Sequence, residues 1–320
     1  MGASWSAAVA TLLLIIAVEA TMARTLAPLL SKHFAVDVFQ APANPLKLVN
    51  TAPGKPIKPG TELRILPIGD SITYGFLSDQ GGGDGNGYRL RLRQLLSIYL
   101  AANMLSAEDK VVFAGTETSP TGNMTDGFFA AWNGKTIQYI SDHVTPSLEQ
   151  RPNIILLHAG TNDMNPNDAI SKEGHDPVAA SERLGSLIDK MTASCPDAVI
   201  LVAMIIGTCN SEQAPQTKLF QSLIPNVVAP RLEAGKHVLA VDFSTFPLDK
   251  LRDCIHPTNQ GYQLVGYYWY DFIAQIPQDW ITAPVGDDPQ RSEAQNLAMR
   301  PETHMLLLGL LGLLVVMMYA

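Results

Sequence analysis

Apolar residues in this chain fall into two kinds of run. Short, nearly unbroken runs rich in Ile, Leu and Val stand at Leu63–Ile68, Val111–Phe113, Ile154–His158, Val199–Ile206 and Val238–Val241, each flanked by turn residues. Runs of that length without polar alternation are the mark of strands buried on both faces. Between them lie helix-length segments at about Tyr88–Ala102, Thr136–Leu148, Val178–Ala193 and Gln216–Ala234, and another follows at about Gln260–Ile276. Strand and helix therefore alternate. The pattern predicts the α/β class: a five-stranded parallel sheet with helices on both faces, a three-layer α/β/α sandwich over residues 61–282. No internal repeat and no second domain interrupt it.

The ends of the chain carry a different pattern. Ala7 to Val18 is an uncharged apolar run followed by small residues, so residues 1–23 read as a secretory signal peptide cleaved after Ala20 or Ala23. The run is shorter than the roughly 20 residues a spanning helix needs. Residues 24–60 read as a linker, with Pro and Lys concentrated from Ala41 to Gly60. At the other end, residues 283–304 form a polar linker and 305–320 a hydrophobic tail. A small residue, a polar spacer and a terminal apolar tail together make a glycosylphosphatidylinositol attachment signal, with Ser292 the first choice of site and Asn296 the alternative. The expectation is a secreted protein, or one held at the cell surface by a lipid anchor.

Composition narrows the partners. The 320 residues are 47% hydrophobic and 16% charged, enough for a substantial core, and the formal net charge of -8 with no basic run argues against a nucleic-acid surface. Three cysteines in an oxidising compartment imply one disulfide and one free thiol. Cys195 and Cys209 flank an extended strand that holds them too far apart to bridge. Cys209 and Cys254 both follow strands and meet at one sheet edge, which makes them the expected pair. Asn123-Met124-Thr125 is an acceptable glycosylation sequon on an expected surface loop.

Parallel sheets present their ligands at the C-terminal ends of their strands. Ser71 follows the first strand, Gly160-Thr161-Asn162-Asp163 the third, and Asp253 and His256 the fifth, so all three sets fall at that edge. A serine hydroxyl needs a base to take its proton, and a histidine base needs a partner that fixes its tautomer. Asp253 and His256, three residues apart, offer both. Acyl transfer also needs donors for an oxyanion: the Ser71 amide, the Asn162 side chain and the amide of Gly134 at a helix entry are the candidates. No metal or organic cofactor is required by this set.

Gly69-Asp70-Ser71-Ile72-Thr73, Gly160-Thr161-Asn162-Asp163 and Asp253-x-x-His256-Pro257 resemble, in order and spacing, the signature blocks of the SGNH (GDSL-type) hydrolases. The resemblance covers about Leu63 to Ile276. It implies a flavodoxin-like SGNH fold, Ser71 as nucleophile, His256 as base, Asp253 as its orienter, and Ser71, Gly134 and Asn162 as the oxyanion hole. The Gly-x-Thr context of Gly134 matches the family block, with Gly115 the competing position. Gly87-Tyr88-Arg89 resembles the first helix of carbohydrate esterase family three, the acetylxylan esterase branch, so the implied substrate is an acetylated cell-wall polysaccharide. A lipid-directed esterase such as a lysophospholipase is the alternative, and a non-catalytic carbohydrate-binding surface protein a third reading. Thr73 stands where an α/β-hydrolase elbow has its second glycine, and Phe129 where a phosphate loop has its first. Gly81–Gly87 reads as a flexible loop beside the active edge, His158 as a packed residue, and Trp132 as a buried aromatic or the wall of a sugar cleft.

Overall fold

The computed structural model describes residues 44–53, 62–102 and 110–289. The expected signal peptide, Ser292, Asn296 and the hydrophobic tail lie outside them. In chain order the elements are β1 (Glu62–Gly69), α1 (Ser71–Tyr74), α2 (Arg89–Ala102), β2 (Lys110–Phe113), β3 (Glu117–Thr118) and β4 (Phe128–Ala131). These are followed by α3 (Ile137–His143), α4 (Thr145–Leu148), β5 (Ile154–His158), α5 (Pro177–Ser194) and β6 (Val199–Met204). The described chain then runs through α6 (Ala214–Glu233), β7 (Val238–Asp242) and α7 (Asn259–Ile273).

The class and layering are as the pattern predicts, but the sheet has seven strands, not five. Its order is β3-β4-β1-β5-β6-β7, with β2 also on β1. All pairings are parallel except β3 with β4. The two additional strands, β3 and β4, are short. β2 pairs with the first half of β1 and β4 with its last two residues, so both share one side of β1 in succession. The single helix expected over Thr136–Leu148 is two, because Pro146 lies in the first turn of α4 and has no N–H to continue α3.

Residue parity along the strands sorts two cores. Leu63, Ile65, Ile154, Leu156, Val199 and Leu201 pack on one face with Leu92, Leu95, Val265, Trp269 and Phe272 of α2 and α7. Leu66, Ile68, Ile155, Leu157, Ile200 and Val202 pack on the other with α3, α5 and α6. Period-2 alternation of side chains is what divides each strand this way.

Described residues on either side of 61–282 also pack against the sandwich. Residues 44–53, part of the expected linker, form a strap: the Leu46 N–H donates to Ala240 O (2.8 Å) and Leu46 O accepts from the Asp242 N–H (2.9 Å). Buried Asp271 of α7 accepts from the backbone N–H groups of Val49 and Thr51 at 2.8 and 2.5 Å. At the far end of the sheet, buried Arg64 donates to the carbonyls of Val285 and Gly286 and pairs with Asp288 at 3.0 Å. A buried guanidinium needs all its donors satisfied, and this segment supplies most of the acceptors.

Candidate active site

The sheet brings three strand ends level. Gly69, which ends β1, is in register with Ala131 of β4 on one side and His158 of β5 on the other. Ser71, Gly134 and Asn162 follow these ends by two, three and four residues. Gly69 admits no side chain, since a Cβ would come within 2.2 Å of His158 O. Buried Asp70 caps α1, accepting from the Ile72 N–H at 3.0 Å, and so fixes the turn that presents Ser71.

Arg89 closes the other end of that turn. It is fully buried, and its Nη1 donates to the carbonyls of Thr73 (2.6 Å) and Tyr74 (3.2 Å), which α1 leaves unpaired. Its guanidinium lies 4.2 Å from the centroid of the Phe129 ring. Burial pushes the guanidinium pKa down to about 10, with Tyr88 and Tyr262 pulling the other way, so it remains cationic at neutral pH. The carbonyls and the aromatic face thus hold a charge taken out of water.

The loop after β7 carries the other two residues of the array. It closes on itself through a Leu251–Pro257 bridge and through the Arg252 N–H donating to His256 O at 2.9 Å. Cys254 has φ 66°, a left-handed conformation unusual for a residue with a side chain. It is held there by the disulfide to Cys209, as expected, and by the Thr208 hydroxyl donating to its carbonyl at 2.8 Å. Cys195 is free and buried.

This loop wraps the Asp253 carboxylate. Oδ1 accepts from the backbone N–H groups of Ile255 (3.1 Å) and His256 (2.7 Å), while Oδ2 is 2.7 Å from His256 Nδ1. Partial burial alone would raise the Asp253 pKa. The bonds from the His256 backbone and ring outweigh it and hold the carboxyl below its ordinary range. A carboxylate only accepts, so Nδ1 carries the ring proton and Nε2 is left as an acceptor, 2.9 Å from Ser71 Oγ. The Phe76 ring packs edge-on against the imidazole at a centroid distance of 4.8 Å.

The Gly134 loop follows β4, the strand paired with the end of β1. Gly134 has φ 68° and open space where a Cβ would be. The Asn162 side-chain amide donates to Lys135 O (2.9 Å), and Asp163 Oδ2 accepts from the Ile137 N–H (2.9 Å) at the start of α3. The motif that follows β5 therefore clamps the glycine loop from two sides. Burial raises the Asp163 pKa, and the bonds from Ile137 and Arg183 oppose that rise. Gly115 is differently occupied. Its N–H donates to Gln150 Oε1 at 2.7 Å, and a Cβ would collide with the Phe129 backbone, so it serves packing. Among the described residues, the N–H groups of Ser71 and Gly134 meet no protein acceptor.

The remaining sequence candidates are placed as follows. His158 is buried, accepts from the Ile206 N–H at Nε2 (3.1 Å), and has its pKa lowered by burial, which keeps it neutral. Trp132 packs partly buried against Tyr139 and His143. Asn123 is exposed, with its side-chain oxygen accepting from Asn86 at 2.6 Å. Among the described residues no group of three or more His, Cys, Asp or Glu is arranged to hold a metal ion. Arg183 and Phe76 were not singled out from the sequence, and Arg89 entered only as part of Gly87-Tyr88-Arg89.

A parallel α/β/α sandwich with a Ser–His–Asp array at the C-terminal edge of its sheet is the architecture of the SGNH hydrolases. Residues 68–264 match the GDSL-like lipase/acylhydrolase family, and the chain belongs to that family. Membership places the domain among the carboxylic ester hydrolases. A curated relative, a multidomain esterase of Ruminococcus flavefaciens, is 27% identical over 278 residues, covering 78% of this chain and 32% of that protein. The chain thus spans about a third of that relative's length. Among solved structures, a family 3 carbohydrate esterase of Clostridium thermocellum superposes with a TM-score of 0.51 at 24% identity, over 67% of this chain and 98% of the other. A carbohydrate esterase family 3 protein of Talaromyces cellulolyticus gives 0.53 at 21% identity, over 68% and 99%. These two share its fold.

Proposed function

We propose that this chain is a serine esterase that removes small acyl groups, chiefly acetyl, from a polysaccharide. The observation that carries the reading is the unbroken relay from Asp253 Oδ2 through the His256 ring to Ser71 Oγ, at 2.7 and 2.9 Å. Ser71 Oγ attacks the ester carbonyl carbon as His256 Nε2 takes its proton, and the carbonyl electrons move to oxygen. The Ser71 and Gly134 N–H groups and the Asn162 amide are the donors assigned to that oxyanion. Its collapse expels the alcohol, protonated by His256, and leaves an acyl group on Ser71. Water, deprotonated by His256, then releases the carboxylic acid and returns the proton to Ser71.

The carbohydrate esterases among the structural neighbours support a saccharide ester as substrate, and the esterase from Ruminococcus flavefaciens supports ester hydrolysis. The reading includes export of the protein, which the Cys209–Cys254 disulfide supports, and attachment to the cell surface through Ser292.

Steady-state kinetics on an ester panel test this reading. The protein is expected to release acetate from acetylated xylan and to favour p-nitrophenyl acetate over the laurate ester by about tenfold or more in kcat/KM. A preference for long acyl chains would replace the polysaccharide with a lipid. No turnover of any ester would overturn the assignment.

A further inference from the structure

Beside the Ser71 array lies a separate cavity of about 180 Å³, between the 78–87 loop and the first turns of α2 and α7. A recess of that size, open to solvent, admits one sugar ring.

Two connections tie its wall to His256. The Arg252 N–H donates to His256 O, while the Arg252 side chain donates to Asn259 Oδ1 at 3.2 Å. Asn259 lines the cavity and donates in turn to Gln80 O at 2.7 Å, pinning the loop to the start of α7. The second connection runs through Phe76. Its ring contacts His256, and its carbonyl accepts from the Tyr262 hydroxyl at 2.7 Å, with Tyr262 also in the cavity wall.

The lining has a definite chemistry. Arg91 and Gln94 come from α2, Gln263 from α7 and Asp84 from the loop. The side chains of Arg91, Gln94 and Gln263 hydrogen-bond to no other described residue, so they are free to bind a ligand. Asp84 spends one oxygen on the Asn86 N–H at 2.8 Å. One cation and one anion offset each other, which favours neither a charged ligand sign. Two amides add both donors and acceptors. Leu90 and the Tyr262 ring contribute a small apolar surface, and the loop wall is bare backbone at Gly82 and Gly83. A Cβ on Gly83 would come within 1.8 Å of Ser78 O, so that wall is held to glycine. Many hydrogen-bonding groups, little net charge and a small apolar face match a neutral polyhydroxylated ring.

We infer that this cavity is a glycosyl subsite, which takes the sugar unit next to the one whose ester reaches Ser71. The inference rests on the polysaccharide reading above and assigns part of the substrate to a place apart from the reacting atoms. The subsite adds binding to oligosaccharide esters and leaves simple aryl esters unaffected.

The test compares wild type with the Gln94→Ala/Gln263→Ala double variant and with Arg91→Leu, all in the full chain. On acetylated xylo-oligosaccharides, KM is expected to rise about tenfold in each, the scale of one or two lost hydrogen bonds. With p-nitrophenyl acetate, which has no sugar to place, kcat/KM is expected to stay within about twofold, reporting an intact fold. Unchanged oligosaccharide KM in both variants would overturn the subsite. Binding of deacetylated xylo-oligosaccharide, followed by saturation-transfer NMR, separates the two proposals. If wild type fails to turn over the acetylated oligosaccharide, the substrate reading fails. The subsite then stands only if wild type binds the sugar and the variants do not.

Discussion

Ser71→Ala is expected to lower kcat/KM for p-nitrophenyl acetate by about 10⁵-fold or more, the scale seen when a serine hydrolase loses its nucleophile. The loss should be chemical and not structural. Ser71 is buried, and its hydroxyl has His256 as its one hydrogen-bond partner among the described residues, so a methyl group fits without leaving a buried donor orphaned. The turn itself is held by Asp70 at one end and Arg89 at the other, through backbone groups that the substitution leaves in place. Circular dichroism and a thermal melt should match wild type while the esterase assay falls to background. Activity within about tenfold of wild type would sink the role given to Ser71.

Asp253→Asn is expected to cost about 10⁴-fold in kcat, with little effect on fold, because it reverses the imidazole's polarity. Oδ1 accepts two backbone N–H groups, so an asparagine must keep its oxygen on that side. Its NH₂ then faces His256 Nδ1 and requires a lone pair there. The ring proton moves to Nε2, where it points at Ser71 Oγ and can no longer accept. In the wild type the hydrogen bonds that hold the Asp253 carboxyl below its usual range keep it charged into mild acid, so Nδ1–H persists. Steady-state assays at neutral pH decide it: a kcat within about tenfold of wild type would show that the carboxylate does not set the tautomer.

Much of this was readable from the residues, and the misses have physical causes. Strands such as Ile154–His158 were legible because burial on both faces forces an unbroken apolar run. β4 was not, because Phe128-Phe129-Ala130-Ala131 pairs with β1 through two residues and with the two-residue β3 on its other side. The strap at residues 44–53 has a linker's composition, and backbone pairing to Ala240 and Asp242, which leaves no side-chain signature, anchors it. At the site, Ser71, Asn162, Asp253 and His256 stood out because chemistry-bearing residue types recurred at strand ends. Arg89 entered only as part of Gly87-Tyr88-Arg89, and only the fold shows that it reaches inward to the carbonyls of α1. The Gly115 alternative closed for a similar reason: the Gln150 side chain that occupies its amide is 35 residues away.

The most direct test of the central claim, that His256 activates Ser71 as nucleophile, is covalent labelling with a fluorophosphonate followed by intact mass and peptide mapping. The account predicts one adduct per chain, on the peptide holding Ser71, absent from Ser71→Ala and slowed by about 10³-fold or more in His256→Ala. An adduct on another residue, or none while ester hydrolysis continues, would contradict it.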